Sequence, residues 1–238
     1  MNKPIVAIAR RLYSLIAYHT WANPIRRGTV KTKMLGFSLE IPPTVFHPRH
    51  YFTSKFLGEW LSGRSLGAST ILDLGSGSGI LSLVVASRGA SVVAVDVNRA
   101  AVSATECNAR RNGMSGRIVA TESDMFDALD PAIQRYTHIV TNPPYYPGKA
   151  IDNVERAFKG GEDNEFFVRL AATARKFLRP GGSIIIVLTS DIDTRKVTAL
   201  FEAAGYDSMI VKSKKLPFET LSIVELRPLG EPPSIGER

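Results

Sequence analysis

Residues Thr70 to Gly79 read TILDLGSGSG. Thr70 to Leu74 is a short apolar run that ends in a glycine cluster, the pattern of a buried parallel strand. Gly75, Gly77 and Gly79 follow, then the apolar stretch Ile80 to Ala86 with helical character. Glycine lets the backbone turn sharply, and lets a ligand lie against the main chain where a Cβ would collide. A helix that begins near Gly79 turns its free N–H groups and the positive end of its dipole toward that ligand. Strand, glycine turn and helix together predict a cradle for a nucleotide-like molecule. An ordinary strand–turn–helix without a ligand would use the same residues.

The spacing narrows the choice. Dinucleotide dehydrogenases use G-x-G-x-x-G. Here the spacing is G-x-G-x-G, and Ile80 stands where that third glycine would be. Asp73 lies two residues before the first glycine. A carboxylate there disfavours a pyrophosphate but suits the ammonium of an amino-acid moiety. S-adenosylmethionine carries such an ammonium and no phosphate. DLGSGSG therefore resembles the first motif of class I S-adenosylmethionine-dependent methyltransferases. The alternative, a nicotinamide-dependent oxidoreductase, is opposed by the glycine spacing.

From Ile71 onward strands and helices alternate. Strands are predicted at Ser91–Val95, Arg117–Thr121, His138–Thr141, Ser183–Leu188, Ser208–Val211 and Leu221–Leu226. Helices are predicted at Ala100–Arg111, Phe166–Leu178 (stopped by Pro180-Gly181-Gly182) and Thr194–Ala204. Such alternation means a parallel sheet with helices on both faces. Ligands of these sheets bind outside the carboxyl ends of the strands. The Gly75–Gly79 turn with Ser76 and Ser78, Asp96, Asp124 and Asn142 all fall at such ends. Asp96 closes VVAVD about twenty residues beyond the glycines, where an acid binds both ribose hydroxyls. Asp124, in ESDM, is placed to accept from an adenine amino group. Val97, Asn98 and Met125 flank these acids and join the expected cofactor wall.

Asn142-Pro143-Pro144-Tyr145 carries the chemistry. An amide or exocyclic nitrogen is a poor nucleophile because its lone pair is delocalised, but it has N–H hydrogens to donate. The Asn142 side-chain oxygen and the Pro143 carbonyl are two acceptors for them. They would concentrate lone-pair density toward a sulfonium methyl and fix in-line geometry. Pro144 stiffens the loop, and Tyr145 is expected to stack on the flat acceptor. A plain proline-rich turn is the other reading of these residues.

NPPY with DLGSGSG resembles the N-methyltransferases that act on planar nitrogen, which include adenine-N6 enzymes of DNA and RNA and the HemK family of release-factor glutamine methyltransferases. ERAFKGGEDNEFFVRLAATARKFLRPGG (Glu155–Gly182), PFETLSIVEL (Pro217–Leu226) and VFHP (Val45–Pro48) are similar to stretches of the short HemK-type members. The resemblance covers about residues 45–227. It implies a Rossmann-like, doubly wound, mostly parallel α/β sheet of seven strands with the last antiparallel. It implies a protein glutamine as acceptor, with RNA or DNA adenine and a small-molecule amine as alternatives, and it allows an activator subunit. The family's leading motif places acids and a threonine toward the cofactor. Here His47, His50 and Tyr51 stand where acids are expected, and Thr53 is left to supply the hydroxyl.

The 238 residues are 44% hydrophobic, enough for one sizeable core. A single cysteine, Cys107, excludes an internal disulfide framework and a multi-cysteine zinc site. With no secretory signal evident, a reducing cytoplasmic compartment is expected. His47 and His50 are three apart, but no nearby carboxylate or cysteine completes a ligand set, so no metal is expected. The net charge is +8, and residues 1–49 hold eight Lys and Arg against one Glu. That segment suits nucleic acid, an acidic protein or anionic lipid. Ile5, Ile8, Ala9, Leu12, Leu15 and Ile16 predict an amphipathic helix, too short and too charged to span a bilayer. Packing on the core is a commoner fate for such a stripe than a membrane surface. Lys31 to Ile41 alternates loosely and predicts one or two short strands. The expected organisation is a basic extension over 1–45, the methyltransferase domain over 46–227 and a flexible tail over 228–238.

Overall fold

The computed structural model describes residues 28–48, 52–217 and 219–230. The helix predicted over residues 5–16, His50 and Tyr51, and the tail from residue 231 lie outside the described residues.

β1 (Val30–Met34) and β2 (Phe37–Ile41) form an antiparallel hairpin. Its turn residues, Leu35 and Gly36, both have positive φ, which matches the twist of the strands they join. Leu35 tolerates that conformation because its side chain fills the space over Gly58 of α1 (Phe52–Ser62), where a Cβ would collide with it.

β3 (Thr70–Leu74), α2 (Ile80–Ser87), β4 (Ser91–Asp96), α3 (Arg99–Arg111), β5 (Ile118–Glu122) and β6 (Tyr136–Thr141) follow. Then come α4 (Asn153–Arg156), α5 (Glu165–Thr173), β7 (Leu178–Thr189), α6 (Thr194–Ala203), β8 (Tyr206–Lys215) and β9 (Thr220–Pro228). The sheet order is β5-β4-β3-β6-β7-β9-β8. The strands from β3 to β7 run parallel, and β9 is antiparallel to both β7 and β8. This is the Rossmann-like, doubly wound sheet with an antiparallel last strand that the sequence implies.

Successive side chains on each strand point to opposite faces. Ile71, Val140, Ile185 and Ile223 pack with α1, α2 and the hairpin. Leu72, Ile139, Ile184 and Val224 pack with α5 and α6. Because both faces are covered, the central strands read as continuous apolar runs.

The hairpin belongs to the first of these cores through Met34, Leu39 and Ile41. Asn108 of α3, and Asn112 at the C-cap of that helix, also hold the hairpin backbone. Asn112 accepts from Ser38 N at 3.0 Å and donates to Ser38 O at 2.8 Å. Asn108 accepts from Glu40 N at 2.8 Å and donates to Glu40 O at 3.0 Å. Each side-chain amide pairs the strand as another strand would. The hairpin is thus fastened to α3 and shares the first core with the sheet.

Several boundaries differ from the sequence reading. The helix predicted over Phe166–Leu178 ends at Thr173, a 3-10 turn covers Ala174–Phe177, and Leu178 already belongs to β7. β8 has ten residues, where only Ser208–Val211 is predicted. It is an edge strand, so polar residues serve it well, and Lys212, Lys214 and Lys215 guard the edge against further pairing. Pro180-Gly181-Gly182 lies inside β7 beside a register shift against β6 rather than before the strand. A Cβ on Gly182 would stand 3.0 Å from Thr137 O and 3.1 Å from Tyr136 O, so glycine is what lets the two strands meet there. β9 reaches Pro228, where the tail was expected to begin. Among the described residues no helix is long and apolar enough to cross a membrane.

Candidate active site

β3 leads to β4 on one side, while β6 returns on the other. Such a switch point opens a crevice beyond the carboxyl ends of the strands. A cavity of about 720 Å³ lies there, lined by Gly75 to Ser78, Asp96, Val97 and Asn98. Asp124, Met125 and Asn142 to Tyr145 complete the same wall, and Thr53 joins it from α1.

The glycine turn has φ of +77°, +54° and +77° at Gly75, Gly77 and Gly79, a region that L side chains rarely adopt. Gly75 N and Ser76 N donate to Val95 O at 2.9 and 3.0 Å, which pins the turn to β4. A Cβ on Gly75 would meet nothing within 4 Å, so the backbone there is open to a ligand. Gly79 is different, and its expected place in the cofactor wall is corrected. It lies outside the cavity, and its Cβ would stand 3.0 Å from Thr105, so it serves the approach of α2 to α3.

Asp73 is also corrected. It is 1% exposed and does not line the cavity. Its Oδ2 accepts from Ser82 N at 3.0 Å and from Ser82 Oγ at 2.5 Å. The strand period decides this, because Asp73 faces α2 with Ile71 rather than the crevice. Burial lifts its carboxyl to about 6, against the two bonds from Ser82, and Oδ1 has no protein partner.

Asp96 holds the turn from the other strand. Its Oδ2 accepts from Gly77 N and its Oδ1 from Asn98 N, each at 2.9 Å. Burial raises its pKa above the usual carboxylate value, while these two N–H groups oppose the rise. Asn98 caps α3 by accepting from Ala100 N at 3.0 Å and donates to Thr44 O at 3.0 Å. Asp124 pairs with Arg169 of α5 at 2.9 Å. Met125 has φ of +53°, held by Ser123 Oγ, which donates to its carbonyl at 3.0 Å.

The Asn142 amide is gripped at both ends. Its Nδ2 donates to Ser54 Oγ at 3.0 Å, and its Oδ1 accepts from the Tyr145 hydroxyl at 2.6 Å. The same hydroxyl lies 2.8 Å from Val187 O, and burial raises its pKa well above the ordinary tyrosine value. Tyr145 thus supports Asn142 directly, a role beyond the stacking expected of it. The Gly160-Gly161 loop packs on the same turn. Gly160 N donates to Tyr146 O at 2.9 Å and Tyr146 N to Phe158 O at 2.7 Å. A Cβ on Gly160 would stand 2.6 Å from Pro144 O.

Four supporting residues escape the sequence reading. Ser54 holds Asn142, and Arg169 pairs Asp124. Thr105 Oγ1 lies 3.1 Å from Ser76 Oγ, and Asn108 Nδ2 donates to Ser78 O at 2.9 Å. The signal for the last two is a polar residue on the buried stripe of a helix, since Thr105 and Asn108 alternate with Ala101, Ala104 and Ala109. His47 is buried and outside the cavity wall. Among the described residues no group of three His, Cys, Asp or Glu is placed to hold a metal.

This fold and this wall define a Rossmann-like S-adenosylmethionine-dependent methyltransferase. The open glycine backbone and the acids at the ends of β4 and β5 fit that cofactor. The chain belongs to the methyltransferase small domain family, whose model matches residues 41–216. It is 28% identical over 204 residues to a release factor glutamine methyltransferase of Geobacter sulfurreducens, covering 81% of this chain and 69% of that one. It is 34% identical over 189 residues to the enzyme of the same description from Mycolicibacterium smegmatis, covering 74% and 65%. RNA enzymes are also similar. A ribosomal RNA small subunit methyltransferase C of Alcanivorax borkumensis is 33% identical over 166 residues, covering 69% of this chain and 46% of that one. The T. thermophilus 16S rRNA methyltransferase solved with AdoMet and guanosine superimposes with a TM-score of 0.61 at 27% identity, covering 84% and 50%. The chain spans about half the length of these RNA enzymes.

Proposed function

We propose that this methyltransferase acts on a planar nitrogen, and that the acceptor is a glutamine amide of a release-factor-like protein. The observation that carries the reading is the Asn142 amide, fixed at the cavity wall by Ser54 and Tyr145. The cofactor supplies an electrophilic methyl on a sulfonium. Asn142 Oδ1 keeps a lone pair for one acceptor N–H, and the Pro143 carbonyl takes the other. Both contacts orient the nitrogen and raise its nucleophilicity. A base is not needed before transfer, since the proton leaves once the methyl has arrived. Asp96 serves the ribose and Asp124, shared with Arg169, the adenine. The glutamine choice rests on the release-factor enzymes among the relatives and on the Gly160-Gly161 loop packed against Pro144.

Asn142→Ala tests the chemistry. Turnover should fall by on the order of 10²-fold or more, with S-adenosylhomocysteine affinity nearly unchanged by calorimetry. Retained turnover would end the reading. The acceptor is found by transferring labelled methyl from S-adenosylmethionine into fractionated lysate of a strain lacking the gene. Label in a protein, lost on glutamine substitution, is the expected outcome. Label in RNA would favour the second reading, an exocyclic base nitrogen, which the guanosine-bound relative and the basic N-terminal segment support.

A further inference from the structure

The Asn142 amide has two orientations that differ only by exchange of oxygen and nitrogen. Only one of them presents an acceptor to a substrate N–H. Its partners are both hydroxyls, which donate and accept equally well, so the distances decide. The contact at one end is 2.6 Å, to the Tyr145 hydroxyl, and at the other 3.0 Å, to Ser54 Oγ. O–H···O bonds cluster near 2.7–2.8 Å and N–H···O bonds near 2.9–3.0 Å. The short end is therefore the oxygen and the long end the nitrogen.

Tyr145 cannot hold this orientation alone. Its one proton has two claimants, Asn142 Oδ1 and Val187 O at 2.8 Å. When the proton goes to Val187, the phenol oxygen becomes an acceptor, and it would welcome Nδ2 of a flipped amide as readily as it now binds Oδ1. The second hold on the amide is Ser54, at a distance of 3.0 Å that suits an N–H donor. It is 3% exposed, sits in the first turn of α1, and accepts from Nδ2 across 88 positions of sequence. Its neighbour Thr53 lines the same cavity from the same turn. We propose that Ser54 is a positioning residue for methyl transfer: it holds the Asn142 amide with Oδ1 toward the acceptor nitrogen, so α1 serves the acceptor site rather than the cofactor alone. This assignment rests on the planar-nitrogen reading above.

The test is a double-mutant cycle read by initial rates of label transfer from saturating S-adenosylmethionine into the acceptor fraction. Ser54→Ala should lower the rate by about tenfold or more, with S-adenosylhomocysteine affinity within about twofold of the parent. Ser54→Thr, which keeps the hydroxyl, should recover most of the rate. The double variant Ser54→Ala/Asn142→Ala should be no slower than Asn142→Ala alone, because Ser54 acts only through that amide. Additive losses, or a parallel fall in cofactor affinity, would show that Ser54 merely supports the fold. A normal rate in Ser54→Ala with an inactive Asn142→Ala would overturn the Ser54 assignment alone. An active Asn142→Ala would overturn the planar-nitrogen reading, and the Ser54 assignment with it.

Discussion

Gly160→Ala isolates the packing that places the NPPY turn. Gly160 is not among the glycines with positive φ, so alanine brings no backbone strain, only a methyl group. That methyl would stand 2.6 Å from Pro144 O and 3.4 Å from Phe166 Cβ. Carbon–oxygen contacts settle near 3.3 Å or beyond, so the two loops must separate by about 0.7 Å. The oxygen is backbone, and no flexible side chain absorbs the shift. Overpacking of this size costs typically 1–3 kcal/mol. The displaced residues adjoin Asn142 and Pro143, and a misplacement approaching 1 Å costs up to about 10²-fold in rate. The expected result is a turnover loss of about tenfold to hundredfold, a lower melting temperature, and little change in S-adenosylhomocysteine affinity, since the glycine turn after β3 is untouched. Turnover and melting temperature equal to the parent would refute the idea that this loop fixes the NPPY turn.

Asp73 gives a pH prediction. The folded chain binds its proton more tightly than the unfolded one, because burial raises the carboxyl from 3.8 to about 6. Its stabilising contribution is full below pH 3.8 and is lost as pH rises through about 6. A lift of about two units corresponds to ~3 kcal/mol at most. Asp73→Asn should therefore melt higher than the parent at pH 8, with the two curves converging near pH 4; a gain independent of pH would contradict this. Asn108→Ala should cost about 2 kcal/mol or more, because it strips two bonds from Glu40 and one from Ser78 O in the interior. It should also weaken S-adenosylhomocysteine binding, whereas Asn112→Ala should loosen only the hairpin. Equal calorimetric affinities for the two variants would show that the bond from Asn108 to Ser78 O does not support the glycine turn.

Much of this molecule is local and therefore legible. TILDL, VVAVD and HIVT are short apolar runs rich in β-branched residues and bounded by turn residues, the pattern of strands covered on both faces. The period of the chain then puts Gly75, Asp96, Asp124 and Asn142 at strand ends, and the topology rules carry them to one crevice. Their convergence follows from the sequence because it needs only the direction of each strand. Edges and turns were harder. β8 carries lysines because it lies at the rim, and a rim strand has no apolar run to announce it.

What the sequence could not decide is which atoms meet across the interior. Asp73 and Asp96 are both acids near the glycine turn, yet one faces Ser82 and the other the cavity. Gly79 and Gly160 are both glycines of recognisable motifs, yet one makes room for Thr105 and the other for the carbonyl of Pro144. Ser54 has no local pattern that ties it to Asn142. These roles depend on the distances between elements that no sequence spacing encodes, because they are set when helices and loops from distant parts of the chain pack to close contact. The sequence by itself determined the sheet and the class of cofactor. Only the tertiary structure decided how each group at the crevice is held, since a hydrogen bond or a forbidden Cβ is a matter of tenths of an ångström between residues far apart in the chain.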